Sequence, residues 1–213
     1  MEYLENIHLI NLAYRTDRLK TAVDEFNRHN ITSFQRFPAV RYSAENFGFV
    51  SEFAKYCSIP KIRSTYEYLT GSFGCLLSHY KIIQKAKEDG KPFVTIFEDD
   101  FQLVGGFVDK FLKCLDDLPK DWQMFHFAVN HQTQAIHMSE KICKPVCGYS
   151  TVGYIVKNDL FDKILSELLD YGKEIDVYYA QVLHPLGTVY CPIEPLMSQR
   201  PSHSDILGHF VKY

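Results

Sequence analysis

The chain of 213 residues lacks the features that mark secreted, membrane-spanning and nucleic-acid-binding proteins. Its start, MEYLENIHLINL, has no basic segment followed by a long apolar run, so we expect no signal peptide. No stretch approaches the roughly 20 apolar residues that a transmembrane helix needs. The formal net charge is −3 and the Lys and Arg residues are scattered, so no basic surface for nucleic acid is predicted. We therefore expect a cytoplasmic protein.

Cysteine is present but follows no recognisable pattern. The six residues include no CxxC motif and are spread along the chain: Cys57, Cys75, Cys114, Cys143, Cys147 and Cys191. Without a secretory signal they are interpreted as mostly reduced, partly buried thiols. Cys143 and Cys147 could be combined with His137 in a zinc site, but the spacing is unconvincing.

Repeats and low-complexity tracts are also missing, and the composition is that of an ordinary globular protein. Hydrophobic residues make up 46% and charged residues 23% of the chain. The length supports one good-sized core and is short for two, so residues 1–213 are predicted to form a single domain. Aromatic residues are abundant at 15%. Some could stack on a sugar or a base, but the core is the expected place of any single one.

The first forty residues indicate an α/β fold. Residues 7–12 form an apolar run of strand length, and residues 34–40 form a second. Apolar residues at helical spacing lie between them and predict a helix that is capped by Thr16 or Asp17 and ends at Asn30. A strand, helix, strand start predicts a mostly parallel central sheet flanked by helices.

The rest of the chain continues this alternation. The predicted elements are a helix over 71–89, strands over 93–97, 123–128 and 151–157, a helix over 107–118, a helix over 158–170 capped by Asn158, and a short helix near 175–183. The last thirty residues are rich in proline and are expected to wrap back over the sheet. Residues 41–70 are less regular and rich in aromatics, which predicts a functional lid or an insertion.

Three consecutive acids end the central strand. Residues 93–97, FVTIF, are almost uniformly apolar, as in a strand covered on both faces, and they run directly into Glu98, Asp99 and Asp100. Buried carboxylates are unfavourable and repel one another, and a divalent cation such as Mn²⁺ or Mg²⁺ removes both effects. Ligands of open α/β sheets bind beyond the carboxyl ends of the strands. The pattern predicts a metal site for a phosphate-containing ligand; the alternative is a solvated acidic turn.

Several stretches in a fixed order carry a family resemblance. The opening is IHLINLAYRTDRLKTAVDEF with FQRFPAV after it, the central block is LTGSFGCLLSHYKIIQKAKEDGKPFVTIFEDDFQL, and DWQMFHF and GYSTVGYIVKNDLFDKIL follow. Together they resemble glycosyltransferase family 25, in which G-x-x-G-C-x-x-S-H leads through a helix to a strand ending in EDD. The family includes lipooligosaccharide glycosyltransferases of bacteria and collagen galactosyltransferases. The resemblance covers most of the chain and is weakest over 41–70 and 129–147.

This resemblance implies a GT-A fold and an inverting glycosyltransferase. It further implies a UDP-sugar donor, usually UDP-galactose, and dependence on Mn²⁺ (or Mg²⁺), which would assist the departure of the diphosphate as a Lewis acid. The implied acceptor is a hydroxyl of a glycan or glycoconjugate, as in lipopolysaccharide biosynthesis. Segment 41–70 would then shape the acceptor side of the site.

The resemblance also assigns the acids of the EDD motif. Asp100 corresponds to the last acid of the family's DxD-like motif and is the expected direct metal ligand. Glu98 and Asp99 would contact the ribose, or the metal and its water shell.

A nucleotide site is implied next to the first strand. Asn11, Arg15 and Arg18 follow that strand, and a guanidinium can bind a diphosphate bidentately. Either arginine could equally be a surface charge of the first helix.

Four residues of the central block are further candidates for the donor site. Gly71 and Gly74 would allow the backbone to approach the donor, or they would mark the start of a helix. Ser78 is an expected donor-site residue, and His79 is an expected catalytic residue, although a lone His is more often structural.

The late segments supply the remaining candidates. An inverting transferase needs a general base, and Asp176 in KEIDVYYAQVL is the residue implied, with a helix N-cap as the alternative. His203 and Asp205 in QRPSHSDI are implied as further metal or phosphate contacts.

Two other classes of function compete with an active transferase. One is a non-catalytic protein that binds a nucleotide sugar or glycan on the same fold; the intact EDD and GSFGCLLSH stretches argue against it. The other is a metal-dependent phosphohydrolase, which would need a second set of Asp and His at metal-binding spacing.

Overall fold

The computed structural model describes residues 2–61 and 63–211. Its strands are β1 (Ile7–Asn11), β2 (Phe34–Pro38), β3 (Phe93–Glu98), β4 (Phe101–Leu103), β5 (Met124–His126), β6 (Asn130–His131), β7 (Ile136–His137), β8 (Ile142–Lys144), β9 (Gly148–Tyr149), β10 (Gly153–Lys157), β11 (Val189–Pro192), β12 (Met197–Gln199), β13 (Ser202–His203) and β14 (Phe210–Val211). Its α-helices are α1 (Thr16–Arg28), α2 (Ala44–Phe47), α3 (Val50–Ser58), α4 (Tyr66–Glu88), α5 (Phe107–Asp117), α6 (Phe161–Tyr171) and α7 (Ile175–Tyr178).

One large sheet organises the described part of the chain. Its strand order is β2-β1-β3-β10-β5-β11-β8-β7. Strands β2, β1 and β3 are mutually parallel, β10 runs opposite to them, and β5 and β11 return to the first direction. A β8–β7 hairpin completes the edge. Apart from β10 and β8 the strands share one direction, which confirms the predicted α/β fold with a mostly parallel central sheet flanked by helices.

Helices cover both faces of this sheet because successive strand residues point to opposite sides. Ile96 in β3 packs into the core that α4 and α6 form with the sheet. Its neighbour Phe97 packs on the other face with α1 and α5, through residues such as Phe26 and Phe111. Both β3 side chains are fully buried. The predicted central strand, apolar on both faces, is therefore present at this position.

The segment predicted to be irregular contains helices. Residues 41–70 include α2, α3 and the first turn of α4; Ile62 lies outside the described residues. Helix α4 begins at Tyr66, earlier than the predicted start at Gly71, because the Thr65 hydroxyl accepts the Tyr68 backbone N–H at 3.3 Å and caps it.

Several predicted boundaries and caps were wrong by a few residues. Helix α1 ends at Arg28, and neither Thr16 nor Asp17 is its N-cap, because Arg15 holds that position. Strand β2 ends at Pro38. Asn158 opens a 3-10 turn that precedes α6, and Leu160 is the residue at the cap.

The C-terminal residues return to the strand ends of the sheet. Strand β12 pairs antiparallel with β4, which directly follows the EDD motif, and Arg200 donates its backbone N–H to the Asp100 carbonyl at 2.7 Å. Strands β13 and β14 form a small hairpin beyond this point. Among the described residues, no helix has the length and apolar character needed to cross a bilayer.

Candidate functional site

A cleft lies at the carboxyl ends of β1 and β3, which are neighbouring parallel strands with Ile10 opposite Glu98. It has a volume of about 160 Å³. It is lined by Ile10, Asn11, Leu12, Arg18, Ala39, Val40, Gly71, Cys75, Ser78, Glu98, Asp99, Asp100, Gln199, Ser204, Asp205 and Ile206. The edge predicted for the ligand is therefore the edge where the acids and the first-strand residues meet.

The two aspartates after β3 are held by one arginine and one asparagine. Asp99 and Asp100 are each only 7% exposed. Arg18 lies 3.1 Å from Asp99 Oδ1 through Nη1 and 2.7 Å from Asp100 Oδ2 through Nη2. Asn11 donates from Nδ2 to Asp99 Oδ2 at 2.6 Å. The structure thus brings together Asn11, Arg18 and both aspartates, as predicted from their positions after β1 and β3.

These carboxylates carry more negative charge than one arginine balances. Burial and then the charge of Glu98 raise the pKa of Asp100 to about 7. Burial also raises the pKa of Asp99, although Arg18 and Asn11 act against it. A divalent cation in the cleft would favour the ionised form of both groups.

Asp100 keeps one oxygen available for such a cation. Its Oδ2 is paired with Arg18, whereas Oδ1 is buried and has no hydrogen-bond partner among the described residues. Buried carboxylate oxygens are normally satisfied, so an unpaired one in a cleft indicates a missing ligand. Carboxylate oxygens are also the donors that Mg²⁺ and Mn²⁺ prefer. The unpaired oxygen of Asp100 therefore fits a divalent metal, although Asp99 and Asp100 belong to neither close group of metal-binding side chains among the described residues.

A buried row of polar side chains lies behind Glu98. His79 is fully buried, and its Nε2 lies 3.4 Å from Glu98 Oε1. Its Nδ1 lies 2.9 Å from the Tyr154 hydroxyl, which is in turn 2.9 Å from the Tyr179 hydroxyl. Burial would raise the pKa of Glu98, but His79 and Thr151 outweigh that effect and lower it. His79 therefore acts on Glu98 rather than lining the cleft.

Gly74 and Ser78 fix the position of α4 against the segment after β2. A Cβ atom on Gly74 would lie 2.3 Å from the Val40 carbonyl oxygen. The Ser78 hydroxyl accepts the Val40 N–H at 2.8 Å and donates to the Gly74 carbonyl at 2.8 Å. Gly71 similarly approaches Ile206: a Cβ atom on Gly71 would lie 3.4 Å from the Cα atom of Ile206. Gly71 and Ser78 line the cleft, Gly74 packs behind it, and the donor contacts of Gly74 and Ser78 stay a prediction.

The C-terminal segment reaches the cleft through Asp205. Asp205 forms an ion pair with Arg15 and accepts a hydrogen bond from the Tyr14 hydroxyl at 2.8 Å. Arg15 also donates to the His203 carbonyl at 3.3 Å. The predicted metal-site residue His203 is exposed, and it uses its backbone rather than its imidazole in this contact. Within the described residues, His203 does not belong to a group of side chains arranged to hold a metal.

Asp176 lies in a neighbouring cavity instead of the cleft itself. That cavity is lined by Pro60, Lys61, Tyr68, Tyr149, Lys173, Glu174, Asp176 and Val177. Burial raises the pKa of Asp176 to about 6, with added effects of the charges of Glu174 and Glu98. The Asp176 side chain accepts a hydrogen bond from the backbone N–H of Val177 at 2.8 Å. The N-cap of α7 is Glu174 and not Asp176.

Sequence reasoning missed several residues that hold the site. Arg36 donates from Nε to Asn11 Oδ1 at 2.9 Å, and Thr151 donates to Glu98. Cys75 lies with His79 and Glu98, their ligand atoms all within 4.8 Å of one another. Only the pairing of β2 and β10 beside β1 and β3 brings Arg36 and Thr151 into place, so no local sequence signal identifies them.

The fold and the cleft together indicate a class of protein. The protein is an α/β protein whose strand ends carry clustered acids and arginines, an arrangement suited to a metal and a phosphorylated ligand. The chain belongs to glycosyltransferase family 25 (LPS biosynthesis protein), whose sequence profile matches residues 4–179. The family predicted from the sequence is thereby confirmed.

Known proteins of similar sequence act in surface glycan synthesis. The chain is 35% identical over 106 residues to the lacto-N-neotetraose biosynthesis glycosyltransferase LgtB of Neisseria meningitidis serogroup B. The aligned residues make up 49% of this chain and 36% of that protein. It is 27% identical over 154 residues to the lipooligosaccharide biosynthesis protein lic2B of Haemophilus influenzae, covering 71% of this chain and 55% of that protein. The chain thus matches little more than half the length of these relatives, or less.

A solved structure with a related outline is a glycosyltransferase involved in the glycosylation of the major capsid of PBCV-1. It is 11% identical, with a TM-score of 0.45, and the match covers 87% of this chain and 81% of that one.

Proposed function

We propose that this chain is a metal-dependent, inverting glycosyltransferase that moves a hexose from a UDP-sugar to a hydroxyl of a glycan or glycoconjugate. The observation that carries the proposal is the unpaired Oδ1 of Asp100, which lies beside Asp99 and Arg18 at the carboxyl ends of two parallel strands. Family membership supports the reaction class. A cytoplasmic location stays a prediction.

The donor diphosphate is assigned to the part of the cleft near Arg18 and Arg15. Both guanidiniums are now paired with carboxylates, Arg18 with the EDD aspartates and Arg15 with Asp205. Two oxygens of a phosphate group can accept the paired N–H donors of a guanidinium, as the two oxygens of a carboxylate do, so a diphosphate can replace these carboxylates as the partner. Asn11, fixed between Asp99 and Arg36, is assigned to the nucleoside side.

A Mn²⁺ or Mg²⁺ ion is assigned to Asp100, with Glu98 and Asp99 beside it. When bound, the ion would neutralise the developing charge of the UDP leaving group. Asp100 supplies the open oxygen, His79 and Thr151 hold Glu98 in the ionised form, and Asn11 orients Asp99. The three acids thus have different supports and are not interchangeable.

Donor entry requires room that the cleft lacks at present. Its volume of about 160 Å³ is below the roughly 300–1,000 Å³ of typical small-molecule sites. Ser204, Asp205 and Ile206 line one side, and their segment is joined to the start of the chain through the ion pair of Asp205 with Arg15. Exchange of this ion pair for a phosphate contact would open the site and place the segment over the bound donor.

The acceptor is assigned to the cavity that contains Asp176. The Asp176 carboxyl has a pKa of about 6, so near neutral pH it is ionised and can take a proton from the acceptor hydroxyl. This is the task of the base in an inverting transfer. Tyr68 and Tyr149 line the same cavity and offer rings for stacking on a sugar. Tyr68, Pro60 and Lys61 come from segment 41–70, which supports the predicted acceptor-side role of that segment.

Galactose is the proposed sugar, and a lipooligosaccharide-type glycan is the proposed acceptor. The sugar follows from the family resemblance, and the acceptor follows from the lipooligosaccharide and lacto-N-neotetraose biosynthesis of the Haemophilus and Neisseria relatives, rather than from a contact in the cleft.

Binding and turnover of nucleotide sugars test this function. We expect isothermal titration to show UDP binding that requires Mn²⁺ and is lost with a chelator, and a panel of UDP-sugars to show release of UDP from one donor. Metal-dependent binding without release for any donor, in the presence of varied glycan acceptors, would favour a non-catalytic binding protein. Absence of binding with and without metal would contradict the proposed site.

A further inference from the structure

A second cluster of metal-binding side chains lies away from the cleft, at the β11–β8 edge of the sheet. Cys143 and Cys191 are register partners in the antiparallel pair of β8 and β11. Their Sγ atoms are 3.4 Å apart, and the Cys191 Sγ is 3.8 Å from the His131 Nε2. All three ligand atoms lie within 4.8 Å of one another.

We propose that Cys143, Cys191 and His131 form a structural binding site for Zn²⁺ or a similar thiolate-preferring ion. Two thiolates and an imidazole are a common zinc donor set. In a tetrahedral site with zinc–sulfur bonds of about 2.3 Å, two sulfurs lie about 3.8 Å apart. The two contacts of 3.4 and 3.8 Å are already close to that geometry.

The surroundings of the two sulfurs suit this role. Cys143 is 2% exposed and Cys191 is fully buried, next to Val129. His131 is exposed, so an ion can enter from its side and a water molecule can complete the coordination. Binding would release the two thiol protons to solvent and leave a dithiolate site.

Two further imidazoles nearby have no polar partner among the described residues. Both ring nitrogens of His126 and of His184 are buried and unpaired, and the two rings are 5.5 Å apart. Within the described residues, neither His126 nor His184 belongs to the close group of His131, Cys143 and Cys191, so the proposed site rests on those three side chains.

The site would fasten the least regular part of the fold. His131 is in β6, Cys143 in β8 and Cys191 in β11, so one ion would connect the separate β6–β9 pair to the β11–β8 edge of the main sheet. The zinc site considered from the sequence shared only Cys143 with this cluster. Within the described residues, Cys191 and His131 take the places that the sequence suggested for Cys147 and His137.

Metal content of the tag-free protein, purified without chelator, tests the proposal. We expect about one zinc per chain by elemental analysis, and near-complete loss in Cys191→Ser and Cys143→Ser. Cys147→Ser and Cys114→Ser, each a cysteine outside the cluster, should keep the zinc of the wild type. Asp100→Ala should also keep it, which separates this site from the metal of the proposed reaction.

A spectroscopic measurement covers the case in which a cysteine variant does not fold. Replacement of zinc by Co²⁺ in the wild-type protein should give the thiolate charge-transfer and visible bands of a tetrahedral cobalt site. Zinc-free protein that takes up no cobalt would overturn the proposal. A Cys143–Cys191 disulfide, seen as a protein mass lower by two hydrogen atoms, would also overturn it. The same holds if zinc is retained after both cysteines are replaced.

Discussion

At the scale of single residues, the cleft is organised by Arg18. It contacts Asp99 through one guanidinium nitrogen and Asp100 through another, at 3.1 and 2.7 Å. Its own side chain is 15% exposed, so these contacts are shielded from solvent. Such a buried, forked contact depends on the shape of guanidinium as well as on its charge.

Arg18→Lys should therefore weaken donor binding even though the charge is kept. A single ammonium cannot span two carboxylates or two phosphate oxygens, and we expect the dissociation constant of UDP to rise about tenfold, equivalent to about 1.4 kcal/mol. Calorimetric titration with Mn²⁺ present measures it. The matched control is Arg28→Lys on the same helix, where the side chain is 61% exposed and pairs with Glu25. Equal affinity of the Arg18→Lys variant and the wild type would exclude Arg18 from the donor site.

Asp176 is the residue on which the proposed chemistry depends. Asp176→Asn should lower kcat by about 10²–10⁴-fold, the usual contribution of a general base, while the affinity for UDP stays unchanged. Steady-state kinetics with a glycan acceptor, together with UDP titration, separates the two effects. Asp170→Asn is the control, since Asp170 is exposed and pairs with Lys55. Wild-type turnover in Asp176→Asn would remove this residue from the reaction.

The pKa of Asp176 also predicts the acid limb of the pH profile. Burial raises that pKa to about 6, so the carboxylate becomes protonated as the pH falls through this value. Because only the ionised form accepts a proton, kcat should fall tenfold per pH unit well below pH 6, and level off above it. A profile that stays flat down to the ordinary carboxyl range, near pH 4, would show that Asp176 does not limit the reaction.

At the scale of elements, α4 determines the shape of the cleft. The helix passes so close to the segment after β2 that Gly74 faces the Val40 carbonyl directly, and Ser78 bonds to the same residue. The sequence motif G-x-x-G-C-x-x-S-H thus encodes a close helix packing. The predicted contacts of Gly74 and Ser78 with the donor are untested by this packing, since both roles require small residues.

Gly74→Ala tests this packing. A Cβ atom 2.3 Å from a backbone oxygen must push the helix away, and we expect a loss of about 1–3 kcal/mol in the free energy of unfolding. Chemical denaturation measures it. Gly105→Ala is the control, because a Cβ there meets nothing within 4 Å, and its effect should be about 0.5 kcal/mol or less. Equal stability of the two variants would mean that α4 is not tightly packed here.

Some helices and strands could be predicted from their own residues, and others could not. The alternation of apolar runs and helical periodicity predicted β1, α1, β3 and α5, because those elements are specified by their own residues. The predicted helix α4 starts five residues too late, since Thr65 supplies the cap but Tyr66–Thr70 lack an obvious apolar stripe. The short strands β6–β9 depend on pairing with distant partners and left no signal.

At the scale of the whole molecule, the site is assembled from distant parts of the chain. Asn11 and Arg18 come from the start, Glu98 to Asp100 from the middle, and Asp205 from the end. The acids and the first-strand residues could be predicted together, because both follow strands of one parallel sheet. The contacts of Arg36, Tyr154 and Asp205 could not, since they depend on strand register and on the path of the C-terminal segment.

The central claim is that Asp100 binds the metal that activates a UDP-sugar. Its most direct test is UDP release by the wild type and by Asp100→Asn, measured over a range of Mn²⁺ concentrations. Asparagine preserves the size of the side chain but removes the charge, so we expect activity to fall at least about 100-fold, in line with the loss of several kcal/mol of metal assistance. Asp109→Asn, at the exposed start of α5, should behave like the wild type. Full, Mn²⁺-dependent turnover in Asp100→Asn would contradict the account.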